Sequence, residues 1–343
     1  MPRTVTTPSE PRGDELPRPG DLIDGKYRVD EIIGKGGMGV VVAARHEVMD
    51  QEVAIKLLRD QEIAWESVTR FMREARASGK LRSAHVARVY DCGTLDSGAP
   101  YLVMERLVGH DLKVERSQRG VLPCGEAVDL LLQAMIGLAE AHAQGIIHRD
   151  LKPSNLFLAD KPGGGSVVKV LDFGVAKLTA VERAQDDLTA TAALLGSPRY
   201  MSPEQAARPR EVDERSDVWS LAVILYELLT GVVPFDGDTL GEIIGKLLVE
   251  PVPPVHTIRS EVPPELSDVI DGCLQRDLAA RPASLVELAH LLEPFASASG
   301  GDAVRQIETL LSDGIAPPPP PSRDPAAPTR LLSEQAAAPP PAS

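Results

Sequence analysis

Glycines crowd one short stretch, Gly34-Lys35-Gly36-Gly37-Met38-Gly39-Val40-Val41, between residues with strand character. Lacking a Cβ, glycine lets backbone amides approach phosphate oxygens, so a phosphate cradle is one reading and a plain hairpin turn is another. The G-x-G-x-x-G spacing also marks dinucleotide sites, but those require the loop to open a helix, and Val40-Val41-Val42-Ala43-Ala44 favours a strand. A Walker loop would end in Gly-Lys-Ser/Thr, which is absent. Farther on, Val53-Ala54-Ile55-Lys56 ends an apolar strand on an ammonium. A strand-end lysine is ordinarily a solvated charge; to work in a cleft it needs a carboxylate that holds it. Glu74, on a stretch with helical spacing, sits at a suitable distance along the chain, and the pair would aim the amine at nucleotide phosphates.

Two further clusters follow: His148-Arg149-Asp150-Leu151-Lys152-Pro153-Ser154-Asn155, then Asp172-Phe173-Gly174, with Ser202-Pro203-Glu204 beyond them. In this order and at this spacing the set resembles the protein kinase superfamily, and most closely the bacterial Hanks-type protein Ser/Thr kinases, over roughly Tyr27 to Pro294. The resemblance implies an α+β bilobal fold, with a small β-rich N-lobe and a larger α-helical C-lobe, and transfer of the γ-phosphate of ATP with Mg2+, or Mn2+ in its place. It assigns Asp150 as the base that receives the acceptor proton and Lys152 as the cation beside the γ-phosphate. Asn155 and Asp172 become the oxygen ligands of the metal. It also places adenine in an apolar slot under Ile33, Val41 and Ala54 and above Leu156. Met104 becomes the gatekeeper, and the Glu105 carbonyl and Leu107 amide meet the base. His148 and Phe173 read as packing residues. Lys152 and Ser197 imply Ser or Thr acceptors.

The same resemblance makes Arg149 a sensor for phosphate on the loop between Asp172 and Glu204. Within that loop Thr189 and Thr191 align with positions that bacterial relatives autophosphorylate, here expected to occur in trans through transient self-association. Glu204 is expected to pair with Arg281 as a buried anchor. Asp217 is expected to brace the catalytic-loop backbone. Two rival readings share the fold. A pseudokinase scaffold conflicts with the presence of Lys56, Glu74, Asp150, Asn155 and Asp172. A small-molecule phosphotransferase conflicts with the S-P-E segment and long loop.

The elements that must position these residues can be read from periodicity. Tyr27 to Ile33, Val40 to Arg45, Glu52 to Leu58 and Tyr101 to Glu105 read as strands. Ser67 to Leu81 reads as a helix with Phe71, Ala75 and Ser78 on one face. From Cys124 onward helices dominate: Ala127 to Gln144, Ser216 to Thr230, Leu240 to Leu248, Pro264 to Gln275 and Ser284 to Leu292. Residues 27–296 thus form the catalytic domain, 1–26 a flexible leader, and 297–343 a Pro/Ala-rich tail with a short helix over 301–313. The chain has 343 residues, 43% of them hydrophobic, enough for a sizeable core. Its net charge of −14 argues against nucleic acid as a partner. Three scattered cysteines and no membrane span or apolar signal core predict a cytoplasmic protein. The expected partners are protein substrates, together with phosphothreonine-binding domains that would read Thr4 to Thr7 or Thr329.

Overall fold

The computed structural model describes residues 16–36, 39–58, 65–173, 198–207, 212–298 and 300–313. Its N-terminal part is a six-stranded antiparallel sheet in the order β1-β2-β3-β4-β6-β5. The strands are β1 (Leu22–Ile23), β2 (Tyr27–Gly36), β3 (Gly39–His46), β4 (Gln51–Leu58), β5 (Val89–Thr94) and β6 (Pro100–Glu105), and helix α1 (Trp65–Ser78) precedes β5. Strand β4 lies inside the sheet, which explains its unbroken apolar run. Alternation then divides its side chains. Val53, Ile55 and Leu57 join Val40, Val42, Ala44 and Val103 in one core cluster, while Ala54 and Lys56 belong to the opposite face. Helix α1 buries Phe71 and Ala75 against Leu102 of β6, with Ser78 buried alongside.

The C-terminal part contains a second sheet, β7 (Gly109–Asp111), β8 (Leu156–Asp160) and β9 (Ser166–Val170), in sequence order. Around it lie α2 (Leu112–Arg119), α3 (Cys124–Ala143), α4 (Pro203–Ala207), α5 (Arg215–Thr230), α6 (Leu240–Val249), α7 (Val255–Ile258), α8 (Pro264–Cys273), α9 (Leu285–Leu292) and α10 (Gly300–Asp313). Every residue of α5 from Ser216 to Leu229 is buried. A helix apolar on all sides requires such a position, and α3 has the same character. Caps match the local sequence: Asp111 accepts the Val114 amide at 2.9 Å, and Ser284 and Thr239 open α9 and α6 in the same way.

The two parts meet where the segment between α1 and β5 lies along β9. The Ala87 amide donates to Val170 O, and the Val170 amide donates to His85 O. Gly137 of α3 permits this approach, because a Cβ there would lie 2.5 Å from the His85 carbonyl oxygen.

Both expected domain limits are corrected. Leu22–Ile23 pairs with β2 and Ile23 is fully buried, so the leader does not extend to residue 26. Two apolar residues give no periodic signal, which is why this strand was invisible in the sequence. At the other end the expected helix exists but is not tail-like. Val304 and Ile307 enter the core, and Leu310 and Leu311 pack on its edge. No helix among the described residues is long and apolar enough to cross a membrane.

Candidate active site

The roof of the cleft is the β2–β3 hairpin. Its register pairs Gly34 with Val41, Lys35 with Val40 and Gly36 with Gly39, after an irregularity between Ile32 and Gly34. Gly37 and Met38 lie outside the described residues. The glycines have different causes. A Cβ on Gly39 would collide with the Leu57 carbonyl oxygen of β4, a requirement of the sheet itself, whereas no protein atom lies within 4 Å of a Cβ on Gly36. Val40, at the end of the glycine stretch, sends its side chain into the core cluster, because alternation turns it away from the face that carries Ala54 and Lys56. Ile33 is exposed and Val41 half-buried. Ala54 pairs with Ala43 on one side and Met104 on the other. Met104, Leu102, Ser78, Asp172 and Phe173 line one small cavity. Leu107 is half-buried, and Leu156 is fully buried beneath the cleft in the C-terminal core.

The floor gathers the polar groups. Lys56 Nζ crosses from β4 to Asp172 Oδ2 at 2.8 Å, with the two side chains only 11% and 24% exposed. Glu74, the carboxylate expected to hold this ammonium, stands half-buried on α1. Lys152 Nζ donates to Asp150 Oδ2 at 2.7 Å. Asn155 Nδ2 donates to the Asp150 carbonyl at 2.8 Å and lies 3.3 Å from Asp150 Oδ2. That commitment leaves the Asn155 carbonyl oxygen as the hard donor for a cation beside Asp172. Among the described residues no three His, Cys, Asp or Glu side chains converge as a metal cage. The Asp172 carboxylate and the Asn155 amide oxygen are hard donors of the kind that suit a divalent cation. Arg149 and Asp172 both have positive φ, 65° and 55°, a conformation that non-glycine residues adopt rarely and at some cost. Thr189, Thr191 and Ser197 lie outside the described residues.

The sequence pattern of the protein kinase domain matches residues 27–292. The chain belongs to the protein kinase family. The chain is 40% identical over 268 residues to the serine/threonine-protein kinase pkn3 of Myxococcus xanthus, covering 77% of this chain and 49% of that protein. It is 35% identical over 285 residues to PknL of Mycobacterium tuberculosis, covering 83% and 69%. The chain thus spans about half the length of pkn3. Among solved structures, the PknI kinase domain of Mycobacterium tuberculosis superposes with a TM-score of 0.64 at 25% identity, covering 82% of this chain and all of that one. The bilobal α+β kinase fold is shared with it.

What holds the kinase floor in place is a second layer of buried groups. Asp217, fully buried at the start of α5, accepts the Arg149 amide on Oδ1 and the His148 amide and His142 Nε2 on Oδ2, at 2.7 to 2.9 Å. Burial alone would raise its pKa, but the hydrogen bond from His142 and the backbone donors leave it below the ordinary carboxylate value. His148 is buried and burial lowers its pKa, so it is neutral. With the proton on Nε2 it donates to Leu171 O at 2.8 Å and accepts the Asp150 amide on Nδ1, and its ring packs on Phe173. Glu204 and Arg281 form a buried bidentate pair at 2.8 and 2.9 Å, joined by Ser216 Oγ, with the guanidinium over Trp219. Three contributors were missed from sequence. Lys169 pairs with Glu105 at 2.9 Å, tying β9 to the end of β6. His142 gave no signal as one of several polar residues on α3. Gln205, whose side chain donates to the Arg149 carbonyl at 2.7 Å, had one in the S-x-x-Q spacing that opens α4.

Proposed function

We propose that this chain is a protein Ser/Thr kinase that moves the γ-phosphate of ATP to Ser or Thr hydroxyls of proteins. The observation that carries the reading is the convergence of Asp150, Lys152, Asn155, Asp172 and Lys56 on one cleft beneath a glycine hairpin. Asp150 orients the acceptor hydroxyl and takes its proton as the oxygen–phosphorus bond forms and the bond to the β-phosphate oxygen breaks, releasing ADP. Lys152 and Lys56 compensate phosphate charge, and Gly34 and Gly36 let backbone amides approach it. Asn155 and Asp172 would hold Mg2+, which supplies charge neutralisation at the phosphates; Mn2+ fits the same oxygen donors. Thr189 and Thr191 are the proposed sites of autophosphorylation between transiently associated copies, read by Arg149 and available to phosphothreonine-binding partners. Free cysteines at 92, 124 and 273 suit a cytoplasmic setting.

Incubation with γ-labelled ATP, Mg2+ and a generic protein acceptor, followed by phosphoamino-acid analysis, tests this. Label on Ser or Thr is expected. Label confined to Tyr, or none at all, would reject the reading.

A further inference from the structure

Helix α4 opens with Ser202-Pro203-Glu204-Gln205. The Gln205 amide faces Ser202 Oγ at 3.4 Å, while Gln205 Oε1 accepts the Ser202 amide at 3.1 Å. This is a reciprocal capping box, with proline at the first helical position, where its missing N–H is harmless. The box fixes one end of the Gln205 side chain and thereby aims the other. Nε2 donates to the carbonyl oxygen of Arg149 at 2.7 Å. Gln205 is buried, and α4 cannot drift, because the adjacent Glu204 is bound to Arg281.

The acceptor of that bond sits at a critical place. Arg149 has φ of 65°, and its two dihedrals lie between two peptide planes. The plane before Arg149 is held by Asp217 through the Arg149 amide. The plane after it is held, among the described residues, by Gln205 on the Arg149 carbonyl and by His148 Nδ1 on the Asp150 amide, the latter at 3.2 Å. An unfavourable conformation persists only where its surroundings over-determine it, and Gln205 is the holder contributed from outside the catalytic loop and α5.

We propose that Gln205 is a positioning residue for phosphoryl transfer: its amide fixes the Arg149-Asp150 peptide, and with it the aim of the Asp150 carboxylate, from the helix that the S-P-E segment opens. Either Glu or Gln can complete a capping box, but only the amide carries an N–H for the Arg149 carbonyl. Gln205→Glu therefore keeps the cap and sets oxygen against oxygen at the catalytic loop. Gln205→Met removes both functions.

The inference rests on the kinase reading, and the test separates the two: wild-type transfer, absent from Asp150→Asn, is measured in the same assay. Initial rates at varied ATP and acceptor, with the folded fraction from thermal melts, are compared for wild type, Gln205→Glu and Gln205→Met. A loss of kcat of roughly 10- to 100-fold is expected in both variants, since misplacement by about 1 Å has that effect. KM for ATP should stay within about twofold, because the groups proposed to bind it are untouched. An unchanged kcat in either variant, or a loss no larger than the loss of folded fraction, overturns the proposal.

Discussion

On the roof of the cleft, Lys56 reaches the floor through its ion pair with Asp172, Ile33 is exposed, and Gly36 has open space where a Cβ would sit. On the floor, Asp217 alone receives three hydrogen bonds in full burial, Glu204 and Arg281 are closed off from water, and His148 is locked at three atoms. The contrast teaches a division of labour. On the proposed function the roof must admit and release a nucleotide, which suits the exposure of Ile33 and the open space beside Gly36. On the proposed function the floor must hold a carboxylate in one orientation while charge moves past it, and the His148, Arg149 and Asp150 amides and the Arg149 carbonyl each meet a side-chain partner.

Breaking the floor should therefore appear first as lost stability. Arg281→Met strands the Glu204 carboxylate in the interior, and removing one partner of a buried pair costs about 3–5 kcal/mol. Urea unfolding should show the midpoint falling by a corresponding amount; an unchanged midpoint would remove the floor's special status. Breaking the roof should do the reverse. Lys56→Met is expected to lower kcat/KM at least about 100-fold, or ~2.7 kcal/mol of transition-state stabilisation, with Tm within a few degrees of wild type. A melt as damaged as that of Arg281→Met would erase the distinction.

Gly137→Ala tests the joint between the two halves. Helix propensity alone predicts a gain of about 1 kcal/mol, whereas a Cβ pressed against the His85 carbonyl predicts an overpacking loss of about 1–3 kcal/mol. Chemical denaturation should show net destabilisation of roughly 1 kcal/mol, and a stabilised variant would mean that the lobes yield freely at this contact.

The smallest effect is on pH dependence. His148, Glu204 and Asp217 all have folded pKa values below their ordinary ones. For each, the unfolded chain binds more protons than the folded chain as pH falls, so stability must decline on acidification. The His148 contribution is complete above its ordinary value of 6.5 and is lost below it; those of Glu204 and Asp217 persist down to about 4.5 and 3.8. Melts should be level near neutrality, fall gently below pH 6.5 and fall steeply below 4.5. A Tm that rises on acidification would contradict the buried-floor account.

The floor's chemistry was legible because its residues recur as ordered clusters, and Asp150, Lys152 and Asn155 lie within six positions of one another. The long helices were legible as well, since α3 and α5 are apolar over whole runs and their ends fell within a few residues of expectation. The supports were less visible. His142 and Gln205 act on residues near in space but separated by 75 and 56 positions, and one polar side chain on a helix has no period to reveal its partner. Strands β1 and β7, of two and three residues, are too short for alternation to register. The expected tail helix was found, but its docking depends on Val304 and Ile307 meeting α3 across the fold. Val40 shows the opposite case: it adjoins the glycine loop in sequence, yet the two-residue period turns its side chain inward.

On the proposed function, the braced carboxylate of Asp150 takes the proton of the acceptor hydroxyl during phosphate transfer. Asp150→Asn preserves the shape of the side chain and replaces its charged, proton-accepting oxygen with an amide. With γ-labelled ATP and a protein acceptor under single-turnover conditions, the variant should fold with a Tm close to wild type and lose at least about 1,000-fold in the rate of phosphate transfer. Transfer at the wild-type rate would contradict the account.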